Sequence, residues 1–297
     1  MAATHPWHLG PVRSVTPEQV GWTYCGLRIV SLAAGAEMQL ATGSEELAVV
    51  PLAGASSTVD VEGRHFDLDG RSSVFARVTD WCYLPIDAEV RLASRDGAVL
   101  ALASARAQRR FDPAYLAAGD VRVELRGAGP STRQVNNFMS PEAFDGADKL
   151  ISVEVLTPDG NWSSYPPHKH DDSPECPANN EEIYYFRVGR TSGTDYAPEG
   201  FAMHRTYTRG DDPAEWEPVE IDIAVTDGDV FVIPRGYHGP CVAAPGYPLY
   251  YLNVMAGPGE ERSMAFCDDP AHHWVRDTWA TMPVDPRCPL TTAAGPR

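Results

Sequence analysis

The chain is cut into short apolar pieces, and that punctuation limits its fold more than any other feature. The 26 prolines and 25 glycines are spread along the whole of its 297 residues. Between Leu27 and Ala105 the runs "LRIVSLAAG", "EELAVVPLAG", "STVDVEG", "SSVFARV", "WCYLPI", "EVRLAS" and "AVLALASA" follow in quick succession. Each is partly β-branched or aromatic, and each is bounded by Gly, Asp, Ser or Pro. Such spacing predicts an antiparallel sandwich or barrel rather than helices. A second series fills Asp120 to Gly257: "DVRVELRG", "KLISVEVLTP", "EIYYFRVG", "FAMHRTYT", "PVEIDIAVTDGDVFVIP", "GPCVAA" and "PLYYLNVMAG". The fold class is therefore all-β, with two β-rich halves joined at "RAQRRFDPAYLAAG". The expected division is a first barrel over residues 1–115, a second over 116–267, and a tail over 268–297. The tail should form a short helix around "HHWVRDTW" and then fray.

Charge narrows the function. A formal net charge of −17 and a pI near 4.8 disfavour nucleic acid and anionic membranes as partners, since both select basic patches. They do not disfavour a small anionic substrate, because a pocket can be locally positive. No apolar run approaches the roughly 20 residues that cross a bilayer, and "MAATHPWHLGPV" lacks the basic start and apolar stretch of a secretory signal. The six cysteines are scattered, without a CxxC pair, so free thiols and a cytoplasmic location are expected.

The chemistry-bearing stretch is "NWSSYPPHKHDDSPECPANNEEIYYFRVG", Asn161 to Gly189. On a strand, residues two apart share a face, so His168 and His170 project together and Lys169 projects away. Neutral imidazoles suit Zn, Fe, Mn or Ni. In "EEIYYFRVG" one of Glu181 and Glu182 can join them, and "GDVFVIPRGYHG" offers His238 after a Pro-Gly bend. Three histidines and a carboxylate would hold one divalent metal and leave positions open for substrate. A lone HxH in a loop is weak as a ligand pair, and a buried histidine usually just satisfies a carbonyl. The ordered set inside an all-β chain is the stronger signal.

That order resembles the two cupin motifs. The first, G(x)5HxH(x)3-4E(x)6G, matches His168, His170, Glu182 and Gly189, and this register selects Glu182 over Glu181. Eleven residues separate His170 from Glu182, and Gly160 stands two positions too early. The second, G(x)5PxGxxH(x)3N, matches Gly228, Pro234, Gly236 and His238, with one residue fewer before the histidine and no final Asn.

"RGAGPSTRQVNNF", "VEVLTPDGNWSSYPPHKHD", "EEIYYFRV", "DGDVFVIPRGYHGPCVAAPGYPLYYLNVMAGP" and "DDPAHHW" are similar to the 5-deoxy-glucuronate isomerase family of myo-inositol breakdown. The resemblance implies a bicupin, two antiparallel jelly-roll barrels with the metal only in the second. It implies conversion of 5-deoxy-D-glucuronate to 2-deoxy-5-keto-D-gluconate with zinc or manganese. His65 stands alone in the first half, which fits a structural role for that barrel.

Shifting a carbonyl from C1 to C2 requires moving the C2 proton, which a metal acidifies by polarising the carbonyl, and a base that carries it. Glu154 and Tyr184 are the catalytic candidates. Arg205, Tyr207, Tyr251 and Asn253 are the candidates for substrate contacts, and Arg205 is favoured for the carboxylate over Arg187 and Arg235. Self-association into a homo-oligomer is expected from the strand edges. An Fe(II)-dependent cupin dioxygenase and a non-catalytic sugar-binding cupin are the rival functions.

Overall fold

A computed structural model describes residues 5–210 and 217–297 of the chain. Within them the strands form two sandwiches. In the first, a six-stranded sheet contains Ser14–Val15, Cys25–Leu32, Ala98–Arg106, Glu45–Gly54, Trp81–Leu84 and Ala114–Leu116. It faces a four-stranded sheet of Ala36–Ala41, Glu89–Ser94, Ser57–Val61 and Arg64–Leu68. Val30, Val49, Val59, Leu68, Leu92 and Leu100 pack between the two sheets. The outer sheet follows the half-buried strand rule, with buried and exposed residues alternating along Glu89–Ser94.

In the second sandwich a seven-stranded sheet runs in the order His8–Gly10, Val230–Ile233, Glu181–Val188, Leu249–Ala256, Ile151–Thr157, Arg133–Met139, Arg122–Arg126. Opposite it lie Glu220–Thr226, Phe201–Tyr207, Tyr237–Ala243, His168–Lys169 and Cys267–Asp268, with Trp162–Ser163 paired to Tyr237–Ala243. All the sheet pairings are antiparallel. The architecture is a pair of jelly-roll barrels, as the sequence implies.

The seven-stranded sheet explains why "EIYYFRV" and "PLYYLNVMA" are apolar throughout rather than at alternate positions. Both of its faces are covered. Tyr184, Phe186 and Tyr251 point into the second barrel's own core. Ile183, Tyr185, Tyr250, Leu252 and Val254 point the other way, against Leu27, Ala48, Val50, Leu52 and Ala101 of the first barrel. A continuous apolar layer thus joins the two halves.

Polar links lock that layer in register. Glu46 of the first barrel accepts hydrogen bonds from the backbone N–H groups of Asp148, Lys149 and Leu150 at 2.6–2.9 Å. Reciprocally, Glu181 of the second barrel accepts from those of Thr23, Tyr24 and Cys25 at 2.7–2.8 Å. Each carboxylate satisfies backbone donors that burial would otherwise leave unpaired.

Three expectations need correction. The division at residue 115 falls inside the strand Ala114–Leu116, and His8–Gly10 leaves the first barrel to pair with Val230 and Phe231 of the second. The tail does not fray. After a short helix over Val275–Thr278 it closes in a hairpin of Thr291–Thr292 with Gly295–Pro296. Buried Gln134 holds this hairpin through the backbone and hydroxyl of Thr291 at 3.0–3.1 Å. The cysteines are not all free: Cys176 and Cys267 form a disulfide, while Cys25, Cys82, Cys241 and Cys288 are buried thiols. The residues inserted between His170 and Glu182 form the loop that carries Cys176 to the strand Cys267–Asp268.

Candidate metal centre

Strand pairing assembles the centre from segments far apart in the chain. His168 lies directly opposite His238 across the outer sheet, and Glu182 lies opposite Ile233 in the facing sheet. Two glycines permit the approach. Gly236 has φ +82° and sits against the Tyr207 carbonyl, 2.5 Å from where a Cβ would stand. Gly239 has φ +98°, and a Cβ there would run into the Ser164 carbonyl. Neither position accepts an ordinary side chain without strain. Asp171, just after the histidine pair, accepts a hydrogen bond from the Gly236 N–H at 2.8 Å and so ties the two motifs together.

Donor atoms of His170, Glu182 and His238, all buried, lie within 4.8 Å of one another. His170 Nε2 is 2.9 Å from Glu182 Oε2, and His238 Nε2 is 3.0 Å from the same oxygen. The His238 contact lacks hydrogen-bond alignment, and neither of its ring nitrogens has a hydrogen-bond partner. A buried imidazole with both nitrogens unsatisfied is costly in a protein interior. A cation shared with Glu182 and His170 would remove that cost, so the residues fit a divalent metal.

His168 stands beside this triad, its ring centroid 4.5 Å from that of His238 and 6.3 Å from that of His170. Its Nδ1 bonds the Pro166 carbonyl at 3.3 Å, as His170 Nδ1 bonds the Asn180 carbonyl at 3.2 Å. Anchoring one ring nitrogen on a carbonyl orients the other, the usual support of a metal-ligating histidine.

Electrostatics agrees. Burial pushes the Glu182 carboxyl up, but His238 and His170 outweigh it and hold the group well below the usual carboxylate range. Burial, reinforced by His238 and His170, holds the His168 imidazole well below its ordinary value and therefore neutral. For His170 burial acts downward, but the Glu182 charge prevails and raises the group.

A cavity of about 490 Å³ opens over His168, His170 and Glu182. Tyr184, Tyr251 and Asn253 line it, as do Ser164, Arg133, Met255, Phe266 and Trp279. Asn253 Nδ2 donates to Glu182 Oε1 at 2.6 Å, fixing the carboxylate. The Ser164 hydroxyl bridges those of Tyr184 and Tyr251 at 3.0 and 3.1 Å. Burial pushes both tyrosine hydroxyls up, so both stay protonated.

Three sequence candidates lie elsewhere. Glu154 faces the first barrel, because Val153 and Val155 on the same strand take the cavity side. There it pairs with Arg71 and accepts from Asn136 and Tyr250 at 2.9 Å. Arg205 is on the outward face of Phe201–Tyr207, since buried Ala202, His204 and Thr206 alternate inward. It pairs with Glu220 at 2.7 Å and Asp222 at 3.4 Å. Tyr207 is buried but donates to Asp269, outside the cavity wall. Lys169 projects away from the histidines and pairs with Glu175 at 2.7 Å.

The sequence reading missed Arg133, Arg126 and Arg276 on the cavity wall. Arg133 and Val135 alternate into the cavity from one strand. No spacing motif marks them, and only knowing which face is inward would have found them.

Comparison with known proteins gives the same picture. The chain is 37% identical over 271 residues to a 5-deoxy-glucuronate isomerase of Geobacillus kaustophilus, covering 91% of this chain and 92% of that one. It is 33% identical over 267 residues to the enzyme of that name from Bacillus subtilis, covering 89% and 92%. An IolB-like protein from Salmonella typhimurium superposes with a TM-score of 0.78 at 31% identity, over 90% of this chain and 95% of that one. Oxalate decarboxylase of Lactobacillus farciminis shares the two-barrel fold, with a TM-score of 0.58 at 15% identity over 84% and 81% of the two chains. The profile of the KduI/IolB family matches residues 5–275, and the chain belongs to that family.

Proposed function

We propose that the chain isomerises 5-deoxy-D-glucuronate to 2-deoxy-5-keto-D-gluconate in myo-inositol breakdown. The observation that carries the reading is the convergence of His170, Glu182 and His238, the first two on the cavity wall, in a chain 37% identical to a protein of that name. His168 is the proposed fourth donor, and zinc or manganese the proposed metal. When bound, such a cation would polarise the aldehyde and the neighbouring hydroxyl of the substrate.

The chain's own groups would bind the substrate and stabilise its developing charge. Tyr184, kept protonated by burial, would donate to the substrate oxygen on which charge grows. Ser164, bonded to the hydroxyls of both Tyr184 and Tyr251, would orient that of Tyr184. Asn253, with its Oδ1 unpaired, would accept from a sugar hydroxyl. Met255, Phe266 and Trp279 would exclude water from the reacting carbons. Apolar Phe201 and Met203, exposed on the outer sheet, support the proposed homo-oligomer. The proposed compartment is the cytoplasm; among the described residues no helix is long and apolar enough to cross a membrane.

The test is metal analysis of the purified protein with an isomerase assay before and after chelation. Chelation, and separately His170→Ala or His238→Ala, should lower turnover by roughly 100-fold or more, with thermal unfolding still cooperative. Metal-loaded protein that leaves 5-deoxy-glucuronate unchanged would refute the activity. Full turnover after complete demetallation would refute the metal's part in it.

A further inference from the structure

We propose that Arg133 is the receptor for the substrate's carboxylate, binding it through the free edge of its guanidinium inside the metal cavity. Three arginines stand on the cavity wall: Arg126, Arg133 and Arg276. Two already hold an anion. Arg126 pairs with Glu124 at 3.1 Å. Arg276 grips Asp268 with Nε and Nη2, both at 2.6 Å. Arg133 is the most buried of the three, with 8% of its surface exposed, yet among the described residues no carboxylate pairs with it. Its bonds are to neutral groups. Nη1 donates to the Ser131 carbonyl at 3.2 Å and the Tyr165 carbonyl at 3.5 Å. The guanidinium carbon sits 5.8 Å from the centre of the Trp279 ring.

A cation taken out of water without a counter-charge is an expensive thing for a fold to keep. Burial brings its pKa down to about 10, with Arg126 and Arg276 adding their repulsion and Tyr251 and, more weakly, the Glu124 charge opposing. The group remains charged at neutral pH, and among the described residues no carboxylate is paired with it. The two carbonyls occupy one corner of the guanidinium, and among the described residues nothing bonds its Nε–Nη2 edge. That edge is the planar fork that fits a carboxylate through two parallel hydrogen bonds.

Charge selects the ligand class as well. Glu124 and Asp268 pair with Arg126 and Arg276 and leave Arg133 as the wall arginine with no paired carboxylate among the described residues, which suits an acid. A cavity of about 490 Å³ is of a size for a six-carbon acid. Such a substrate would present its carboxylate to Arg133 and its other end to the metal ligands. The identity of the acid rests on the isomerase reading; the carboxylate preference does not.

The experiment therefore has a binding arm and a turnover arm. In the first, titration calorimetry compares D-glucuronate with D-glucose on the metal-loaded full chain. The wild type should prefer the acid by roughly 10- to 100-fold, the worth of a charge-assisted pair. Arg133→Met should bring that ratio near one. Arg133→Lys, which keeps the charge and loses the fork, should fall between. In the second arm Arg133→Met should raise KM for 5-deoxy-glucuronate by a similar factor while kcat changes only a few-fold. A wild type with no preference for the acid, or an Arg133→Met protein that keeps the preference, overturns the proposal. Should Arg133→Met fail to fold, an unchanged ratio in Arg133→Lys overturns it equally. A wild type that prefers glucuronate but does not isomerise 5-deoxy-glucuronate refutes the isomerase reading and leaves Arg133's role standing.

Discussion

His204 is a histidine kept out of the acid–base chemistry by its surroundings. It is buried beside Phe231, with Nε2 on the Thr206 hydroxyl at 2.9 Å and Nδ1 on Cys241 Sγ at 3.2 Å. Burial first, and the neighbouring His238 second, lower its pKa to about 3. The unfolded chain binds a proton at this residue below its ordinary value near 6.5, and the folded chain refuses it. Stability is therefore lost as pH falls from about 6.5 towards about 3, by up to about 1.4 kcal/mol per unit from this group alone. Thermal melts at half-unit steps from pH 7 to pH 4 should show a shallower fall for His204→Gln than for the wild type; equal slopes would contradict the assignment. The convergence of His170, Glu182 and His238 was legible in the sequence, because a metal-binding motif restricts both residue type and spacing. Arg133 was not, because its distinguishing property, a missing counter-ion, exists only once the fold has gathered the other charges.

At the scale of elements, the strands were legible from their punctuation, but which way their side chains face was not. Alternation tells a reader that two residues share a face, and it names the inward face only when the other is polar. Ile151–Thr157 is buried along its whole length, so Glu154 could be read as facing either barrel. The structure gives it to Arg71, Asn136 and Tyr250, at the seam between the halves. Arg71→Met would leave buried Glu154 without its cation, a change that costs about 3–5 kcal/mol. Urea unfolding should read that loss, while metal content stays at the wild-type level. The double variant Arg71→Met/Glu154→Leu should recover part of it, because the two residues act as one unit. Stability equal to wild type in Arg71→Met would show that the pair contributes nothing. The terminal hairpin was illegible for a related reason: its order comes from Gln134, a strand residue far away in sequence.

For the whole molecule, the two halves are not separable at residue 115. The first barrel lends His8–Gly10 to the second barrel's sheet, and each half places a carboxylate on the other's backbone. The duplication was legible; this interlock was not, since two glutamates bonding to backbone N–H groups carry no pattern. Glu181→Ala should therefore weaken metal binding by roughly tenfold, the scale of an outer-sphere defect, although residue 181 is not itself a donor. Competition with a chelator of known affinity would measure it, and unchanged affinity would show that the halves act independently. The pairing of Glu181 with Glu182 gives this its force. One peptide unit carries both the clasp on Thr23, Tyr24 and Cys25 and the carboxylate shared by two imidazoles. The first barrel works as a splint for the barrel that holds the candidate metal centre, and damage to it should register as a bound ion that leaks away before any chemistry slows.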